Sequence, residues 1–280
     1  MDNPGPAQLL QTSQLAWQLL QGQPLPGRQA PSPGKTSEYR LARPAPHVIT
    51  VNEIRTPAPR QADLALLCAH RHLSPLTARS VVYTPADTHS ACCALRLAQA
   101  EHAGAPRTSC HATLIRLHGQ GILIGGPPGS GKSTLALALI REAGASLVAD
   151  DCVEVFGLSD GPAGRCPAVL SGYLHVPELG ALDIARLFGQ TQTVTACHIN
   201  LRLNLTVPAL KSPPVSLHGR WQQEILAGTS LPALSLDPGH GQLVSLVDTA
   251  ARMLERTNRP QIMADNLQQR QQQVIRDKQA

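Results

Sequence analysis

The chain has 280 residues, of which 42% are hydrophobic and only 2% aromatic, and it carries a formal net charge of +5 at pH 7. This length allows one to two domains, whose core must be built from Leu, Val, Ala and Ile. The sequence lacks a Lys/Arg block, so we expect no binding to nucleic acid. It also lacks an apolar run of 18 residues and a signal-peptide start, so we expect a cytoplasmic protein that does not bind a membrane. Without a C-x-x-C pair, its thiols are expected to be reduced.

The amino-terminal part of the chain differs in composition from the rest. Residues 1–60 are rich in Pro, Gln, Gly and Ser. Such a segment buries too little apolar surface to offset its ordering entropy, so it is expected to be mostly disordered. Apolar clusters broken by prolines predict a small helical lead-in over residues 61–104. The main domain is expected over residues 105–265, followed by a Gln/Arg-rich tail at 266–280 that forms a frayed helix.

The main domain mixes predicted strands with predicted helices. Glycine-containing turns predict one hairpin between residues 112–117 and 122–124, and a second between residues 153–156 and 168–170. The predicted strands span residues 112–117, 122–124, 146–151, 153–156, 168–170, 199–205 and 231–236. The predicted helices span residues 132–143, with Gly144 as the stop signal, and 243–255. Strands and helices mixed in this way around a glycine-rich loop predict an α/β fold.

A complete G-x-x-x-x-G-K-[ST] sequence, residues 126–133, joins the second strand to the first helix. In such a loop the backbone amides point at phosphate oxygens, the lysine reaches the β- and γ-phosphates, and the Ser hydroxyl holds Mg²⁺. The alternative is a glycine-rich turn that binds nothing. The pattern favours a site for ATP with Mg²⁺, and the predicted nucleotide-binding residues are Gly126, Gly129, Ser130, Gly131, Lys132, Ser133 and Thr134.

Two adjacent acids, Asp150 and Asp151, end the strand that follows the phosphate-loop helix. Because Mg²⁺ held by Ser133 needs a nearby carboxylate, one of these acids is expected to support the metal. Neighbouring residues of an extended strand point in opposite directions, so the second acid can approach the phosphoryl acceptor and take its proton. The alternative is a solvated pair of acids in a turn.

These motifs occur in the order, and nearly the spacing, of the HPr kinase/phosphorylase catalytic domain, which the chain resembles over about residues 98–258. The front half of the resemblance is the more specific. The segments that carry it are Arg107–His111, Gly119–Gly121, Gly126–Ser133, Val148–Asp151, Leu174–Ile184 and Glu224–Gly239.

The resemblance implies a P-loop kinase domain that transfers a phosphoryl group from ATP to a serine of HPr, a small sugar-transport phosphocarrier. It also implies the reverse phosphorolysis and assembly as a hexamer. Lys132 would bind phosphates, Ser133 and Asp150 would hold the metal, and Asp151 would be the proton acceptor. His111 would be a further active-site residue, although a histidine in that place is by itself more often structural.

The chain departs from the family pattern on the acceptor side. His175 and Pro177 replace an acid and an arginine, and Asp237 and His240 replace two basic residues of the phosphorolysis stretch. The catalytic arginine has no aligned counterpart, and Arg220 is the nearest candidate. Reverse activity is therefore expected to be weak or absent. Two alternatives stay open: a kinase that acts on a different protein or peptide, and a nucleotide-binding regulator with little catalysis.

Overall fold

The computed structural model describes the chain in separate ranges. These are residues 39–41, 48–53, 62–68, 78–84, 87–102, 104–206, 217, 219–257 and 261–279. The chain divides into two compact units, the first comprising residues 1–106 with 194–197 and the second residues 107–193 with 198–280. None of the helices in these ranges is both long and apolar enough to cross a membrane.

Within its described residues, the first unit contains a four-stranded sheet and one helix. The sheet is ordered β1 (Tyr39–Leu41), β2 (Val48–Glu53), β3 (Ala62–Cys68) and β4 (Ala78–Thr84). Its first three strands pair antiparallel, and β3 pairs parallel with β4. Helix α1 (Thr88–His102) follows, and the Asp87 side chain accepts hydrogen bonds from the first-turn amides of His89 and Ser90 at 3.1 Å.

Two strands therefore precede α1 where a helical lead-in over residues 61–104 was expected. The β-branched and aromatic run at residues 81–83 explains β4, because such side chains favour a pleated surface. The disorder expected for residues 1–60 falls mostly outside the described residues, which within that range comprise only β1 and β2.

The remaining strands and helices follow in chain order. The strands are β5 (Arg107–Cys110), β6 (Thr113–Leu117), β7 (Gln120–Gly125), β8 (Ser146–Ala149), β9 (Val153–Leu158), β10 (Gly161–Arg165), β11 (Tyr173–Val176), β12 (Gly180–Asp183), β13 (Ala196–Leu205), β14 (Trp221–Leu226) and β15 (Thr229–Leu236). The helices are α2 (Lys132–Ala143), α3 (Ile184–Phe188), α4 (Leu243–Thr257) and α5 (Ile262–Gln279), with 3₁₀ turns at Ala168–Leu170 and Gln190–Gln192.

Nine of these strands form one sheet, and β11 and β12 form a separate hairpin. The order in the large sheet is β5-β9-β10-β13-β7-β6-β8, with β15 paired to β13 and β14 paired to β15. Strands β7, β13 and β15 are parallel, in the register that places Gly125 beside Asn204 and Leu205 beside Leu236. Their carboxyl ends therefore meet at one edge of the sheet.

An aliphatic core lies between this sheet and the helices α2 and α4. Alternate residues of β13 are buried, as expected for a strand with one covered face. Leu201 and Leu203 join a cluster that includes Leu139 of α2 and Val247 of α4. With only two phenylalanines in the chain, aliphatic side chains fill this core, as the composition predicted.

The α/β fold is confirmed, and most of the predicted elements lie where the patterns placed them. Strands β6 and β7 form the first expected hairpin. The helix predicted for 132–143 is α2, and Gly144 ends it in the left-handed conformation at φ +71°. The helix predicted for 243–255 is α4, which ends at Thr257. The tail helix begins at Ile262, four residues earlier than predicted.

The second hairpin was predicted with the wrong partner strand. Strand β9 pairs with β10, and residues 168–170 form a 3₁₀ turn. Leu158 lies opposite Gly161, so the chain reverses within two residues. Strand β10 therefore begins inside the segment 159–164, which was expected to be the loop of the hairpin. Gly164 suits the strand because a Cβ there would lie 2.7 Å from Leu114 Cδ2.

Candidate active site

The phosphate-binding loop connects β7 to α2, as the motif predicted. Gly129 and Gly131 have left-handed backbones, with φ of +75° and +85°. A Cβ on Gly126 would lie 2.6 Å from Ser130 Oγ and 2.9 Å from the Leu205 carbonyl oxygen. The loop can therefore close on itself and against β13 only because Gly126 has no side chain.

Lys132 lies across this loop. Its side chain is buried, and Nζ donates to the carbonyl oxygens of Gly126 at 3.2 Å and Pro127 at 3.3 Å. Ser133 is half-buried and Thr134 exposed in the first turn of α2. The first amides of a helix have no partner within the helix, and its dipole is positive at this end. A buried ammonium thus joins a helix amino terminus, which is a suitable site for an anion.

The hydroxyl of Ser130 supports the same interpretation. Ser130 Oγ is fully buried and has no hydrogen-bond partner among the described residues. Buried polar groups in native proteins are almost always hydrogen-bonded, so an unpartnered hydroxyl inside an anion-binding loop is a donor suited to a ligand oxygen. The loop therefore fits the phosphates of a nucleotide.

The carboxylate of Asp150 lies beside this loop at the end of β8. It is only 4% exposed. Ser133 Oγ lies 3.1 Å from both Oδ1 and Oδ2, and Thr113 Oγ1 donates to Oδ1 at 2.6 Å. The backbone amide of His175, in β11, donates to Oδ2 at 2.9 Å. Three donors from three separate elements therefore fix the position of this buried acid.

The donor set is suited to Mg²⁺. Magnesium prefers oxygen ligands and keeps several waters, so one carboxylate and one hydroxyl are a sufficient protein contribution. Asp150 and Ser133 supply these oxygens 3.1 Å apart. Within the described residues no group of three or more His, Cys, Asp or Glu side chains could hold a metal.

Asp151 and His111 form a second, exposed part of the site. Asp151 has a left-handed backbone, with φ of +59°, and an exposed side chain. His111 Nδ1 lies 3.0 Å from the carbonyl oxygen of Asp151. The two adjacent acids thus differ in environment, since Asp150 is buried towards Ser133 and Asp151 faces solvent. The separate roles of these two acids stay predictions.

A half-buried thiol, that of Cys166, lies next to Asp150. Burial raises the pKa of Cys166 to about 12, even though a hydrogen bond with the Asp150 backbone favours the thiolate. Cys166 is therefore a neutral thiol at any ordinary pH and adds no charge beside the carboxylate. None of the cysteines whose side chains the structure describes forms a disulfide bond.

The residues that depart from the family pattern make local contacts or face solvent. The side chain of His175 is exposed, and it is the backbone of this residue that contacts Asp150. Pro177 is exposed just after β11. The Asp237 carboxylate accepts from the amide of Gly239 at 2.9 Å, and His240 Nδ1 accepts from Gln242 at 3.2 Å. These two side chains stabilise the turn that follows β15.

Sequence reasoning missed Thr113 and the backbone amide of His175. The signal available for Thr113 was a polar residue at the start of an apolar strand. In the structure it is fully buried, and its strand pairs with β8. Leu114 pairs with Ala149 of β8, and Thr113 pairs with Ile124 of β7. Thr113 therefore lies between the two acids that follow β8 and the strand that leads into the phosphate loop. The amide of His175 carries no side-chain signal, because any residue at that position could donate this hydrogen bond.

Comparisons with known proteins found curated relatives that share one name. An HPr kinase/phosphorylase of Burkholderia lata is 38% identical over 133 residues, which are 47% of this chain and 38% of the relative. One from Clostridium acetobutylicum is 40% identical over 101 residues, which are 36% of this chain and 33% of the relative. The chain thus spans well under half the length of these curated relatives.

A solved structure and a family model were also matched. The HPr(Ser) kinase/phosphatase from Coxiella burnetii aligns with a TM-score of 0.45 and 31% identity, over 52% of this chain and 88% of that one. The model of the HPr serine kinase C-terminal domain matches residues 102–271, more than half of the chain. The chain belongs to the HPr serine kinase C-terminal domain family.

Proposed function

We propose that this protein is an ATP-dependent serine kinase that phosphorylates HPr or an HPr-like phosphocarrier and so regulates carbohydrate metabolism. The observation that carries the proposal is the contact of Ser133 Oγ with both oxygens of the buried Asp150 carboxylate, beside the loop that Lys132 spans. The family match and the names of the relatives support the same activity.

The phosphate loop binds ATP through the residues that the motif predicted. Gly126, Gly129 and Gly131 shape the loop, and Ser130, Lys132, Ser133 and Thr134 donate hydrogen bonds or charge to phosphate oxygens. Ser133 and Asp150 would hold Mg²⁺. When bound, Mg²⁺ neutralises negative charge on the β- and γ-phosphates.

Asp151 takes the proton of the attacking serine. The serine oxygen forms a bond to the γ-phosphorus, the bond from that phosphorus to the bridging oxygen breaks, and ADP leaves with the bonding electrons. The serine proton passes to the Asp151 carboxylate. His111, whose Nδ1 contacts the Asp151 carbonyl, helps to hold the exposed turn in place.

Exposed apolar side chains in the segment around His175 favour a protein acceptor. Val169 is 88% exposed, Tyr173 52% and Leu179 64%, and these residues lie in the segment that also contains His175. Because exposed apolar groups near a site are typical of protein contacts, a protein acceptor can dock here with its serine near Asp151. A small-molecule acceptor would have little use for this surface.

A second candidate is a related kinase that acts on a different protein or peptide. The exposed His175 and Pro177, which replace an acid and an arginine of the family pattern, favour it because they lie on the acceptor side. In either case we expect a cytoplasmic protein. We also expect a homo-oligomer, a hexamer by resemblance to the family, and sedimentation velocity measures the number of subunits.

The test of this function is phosphoryl transfer from [γ-³²P]ATP in the presence of Mg²⁺ and purified HPr. We expect label on a single serine of HPr, identified by mass spectrometry. Asp151→Asn should leave Mg-ATP binding intact and slow transfer by about 10²-fold or more, the usual effect of losing a general base. Asp150→Asn should instead raise the Mg²⁺ concentration that ATP binding requires.

Asp160→Asn, which removes an exposed carboxylate in the β9–β10 turn, is the matched control and should transfer label at the normal rate. Normal transfer by Asp151→Asn would refute the assigned proton acceptor. ATP binding without label on HPr, but with label on another protein in a cell extract, would favour the second candidate. ATP binding without transfer to any acceptor would favour a nucleotide-binding regulator.

A further inference from the structure

We infer that Arg202 is a positioning residue for the bound nucleotide, because it fixes the point at which β7 enters the phosphate loop. This role rests on the proposed use of ATP and adds a residue that belongs neither to the loop motif nor to the acid pair. Arg202 lies in β13, the strand next to β7, and its side chain is half-buried. The observation that carries the inference is the contact of its guanidinium with Gly125, the last residue of β7.

Arg202 lies on the face of the sheet that α2 and α4 do not cover. Its neighbours Leu201 and Leu203 belong to the core beneath these helices. Successive side chains of a strand point to opposite faces, so Arg202 and Asn204 point away from the helices. In the parallel register of the two strands, Asn204 lies beside Gly125. The arginine side chain therefore reaches along β13 towards the end of the sheet that carries the phosphate loop.

The guanidinium packs across the backbone of Gly125. A Cβ on Gly125 would lie 2.5 Å from Nη2, 2.8 Å from Cζ and 3.1 Å from Nε of Arg202. Three atoms of the guanidinium plane thus lie close to one point, so the plane covers this glycine. Any side chain at position 125 would occupy the place of the guanidinium and displace it.

Two polar side chains hold the guanidinium in this place. Arg202 Nε donates to Asn204 Oδ1 at 3.1 Å, and Asn204 Nδ2 donates to the carboxylate of Glu224 in β14. Asn204 and Glu224 are themselves half-buried. The planar guanidinium loses little freedom for each hydrogen bond that it forms. It can therefore act as a fixed support for the end of β7.

The junction between β7 and the loop has little means of holding itself. Gly125 and Gly126 belong to the residue type with the most backbone freedom. Pro127 and Pro128 follow, and a proline has no amide hydrogen to donate. The carbonyl oxygens of Gly126 and Pro127 nevertheless accept from Lys132 Nζ at 3.2 and 3.3 Å. A support beneath Gly125 therefore also fixes the carbonyl groups that place this ammonium.

Titration calorimetry of ATP binding with Mg²⁺, below the melting temperature of each variant, tests this role. In Arg202→Ala the nucleotide must order Gly125 itself, and ordering one residue corresponds to roughly five- to thirtyfold in affinity. We expect the Kd for ATP to rise by about that factor. Arg202→Lys keeps the charge but lacks the plane, and it should bind ATP about as weakly. Arg116→Ala, which removes a half-buried arginine beside Gly121 at the other end of β7, is the matched control and should bind ATP normally.

Gly125→Ala displaces the guanidinium without removing it. We expect this variant to weaken ATP binding by a factor similar to that of Arg202→Ala. The double variant should bind ATP no more weakly than the weaker of the two single variants, because the added methyl group then fills the space that the guanidinium has left. Independent effects would multiply, and a multiplied loss of affinity would overturn the inference.

The outcomes separate this role from the proposed function. If the wild type binds ATP and Arg202→Ala binds it equally well, the positioning role is refuted and the proposed function stands. Normal affinity in Arg202→Lys would show that the charge alone acts, and it would refute the positioning role as well. If the wild type does not bind ATP, the proposed function fails and this role fails with it. Should Arg202→Ala misfold, Gly125→Ala decides, because normal ATP affinity in that variant refutes the role.

Discussion

Replacing Thr113 by Val tests whether a buried hydroxyl positions the metal acid. Valine has nearly the shape of threonine but cannot donate the 2.6 Å hydrogen bond to Asp150 Oδ1. The lost bond is to a charged acceptor, and such bonds contribute about 1.5–3 kcal/mol. Since about 1.4 kcal/mol corresponds to a factor of ten, the site should lose about 10- to 100-fold in Mg²⁺ affinity, as when the partner of a metal ligand is removed.

The assay is titration calorimetry of ATP binding at a series of Mg²⁺ concentrations. For Thr113→Val we expect the half-saturating Mg²⁺ concentration to rise by about 10- to 100-fold, while ATP affinity at saturating Mg²⁺ stays nearly normal. Asp150 keeps its contacts with Ser133 and the amide of His175, so the loss is partial. Thr113→Ser, which keeps a hydroxyl at this position, is the matched control.

A merely structural role for Thr113 predicts a different result. The valine variant would then have a lower melting temperature and an unchanged Mg²⁺ requirement. That result would refute the reasoning, because the threonine would then support packing of β6 without orienting the Asp150 carboxylate.

Three further predictions concern other parts of the second unit. The hydrogen bonds from Arg252 and His118 hold the pKa of Asp248 below its usual range. These contacts therefore stabilise the folded state fully above about pH 4, the pKa of an unfolded Asp, and the stabilisation is lost as the pH falls through the lower folded-state pKa. The urea midpoint of Asp248→Asn should therefore lie below that of the wild type at pH 7. The two midpoints should converge as the pH falls through the lowered pKa of Asp248, and Glu255→Gln should match the wild type throughout. Burial raises the pKa of Cys166 to about 12, so iodoacetamide at about pH 9 should modify this thiol roughly a hundredfold more slowly than free cysteine. Peptide mass spectrometry measures the rate of modification. A rate comparable to that of free cysteine would contradict the raised pKa. Phosphorolysis of phosphoserine-HPr should be weak, because inorganic phosphate and the phosphoserine are two anions that must lie close together. The family pattern has basic residues to offset their repulsion, and this chain has Asp237 and His240 instead. Pyrophosphate release at the rate of the forward reaction would overturn this prediction.

Local patterns were sufficient to predict the elements around the phosphate loop. The β6–β7 hairpin, the loop and α2 each have their own sequence signature, and consecutive elements of this kind pack together. The chemistry that a metal requires predicted that one of the two acids lies near Ser133, the resemblance implied Asp150, and Asp150 is the acid in contact with Ser133. The sequence therefore predicted the order of these elements and the proximity of an acid to Ser133.

Features that depend on pairing between distant segments could not be predicted in this way. The partner of β9 was misplaced because Gly161 and Gly164 are typical of loops, and only the packing of Gly164 against Leu114 shows why it lies in a strand. The amide of His175 reaches Asp150 through the separate β11–β12 hairpin. Tertiary contacts of this kind leave no periodic signal in a single sequence.

The left-handed backbone at Asp151 limits how this protein can lose its activity while keeping its fold. Asp and Asn tolerate this conformation and Gly adopts it freely, whereas other L-residues pay roughly 1–2 kcal/mol for it. A substitution that removes the carboxylate cheaply must therefore introduce Asn or Gly. Homologues that have become nucleotide sensors without catalysis should thus be enriched in those two residues at this position, and a survey of natural sequences could identify them on that basis alone.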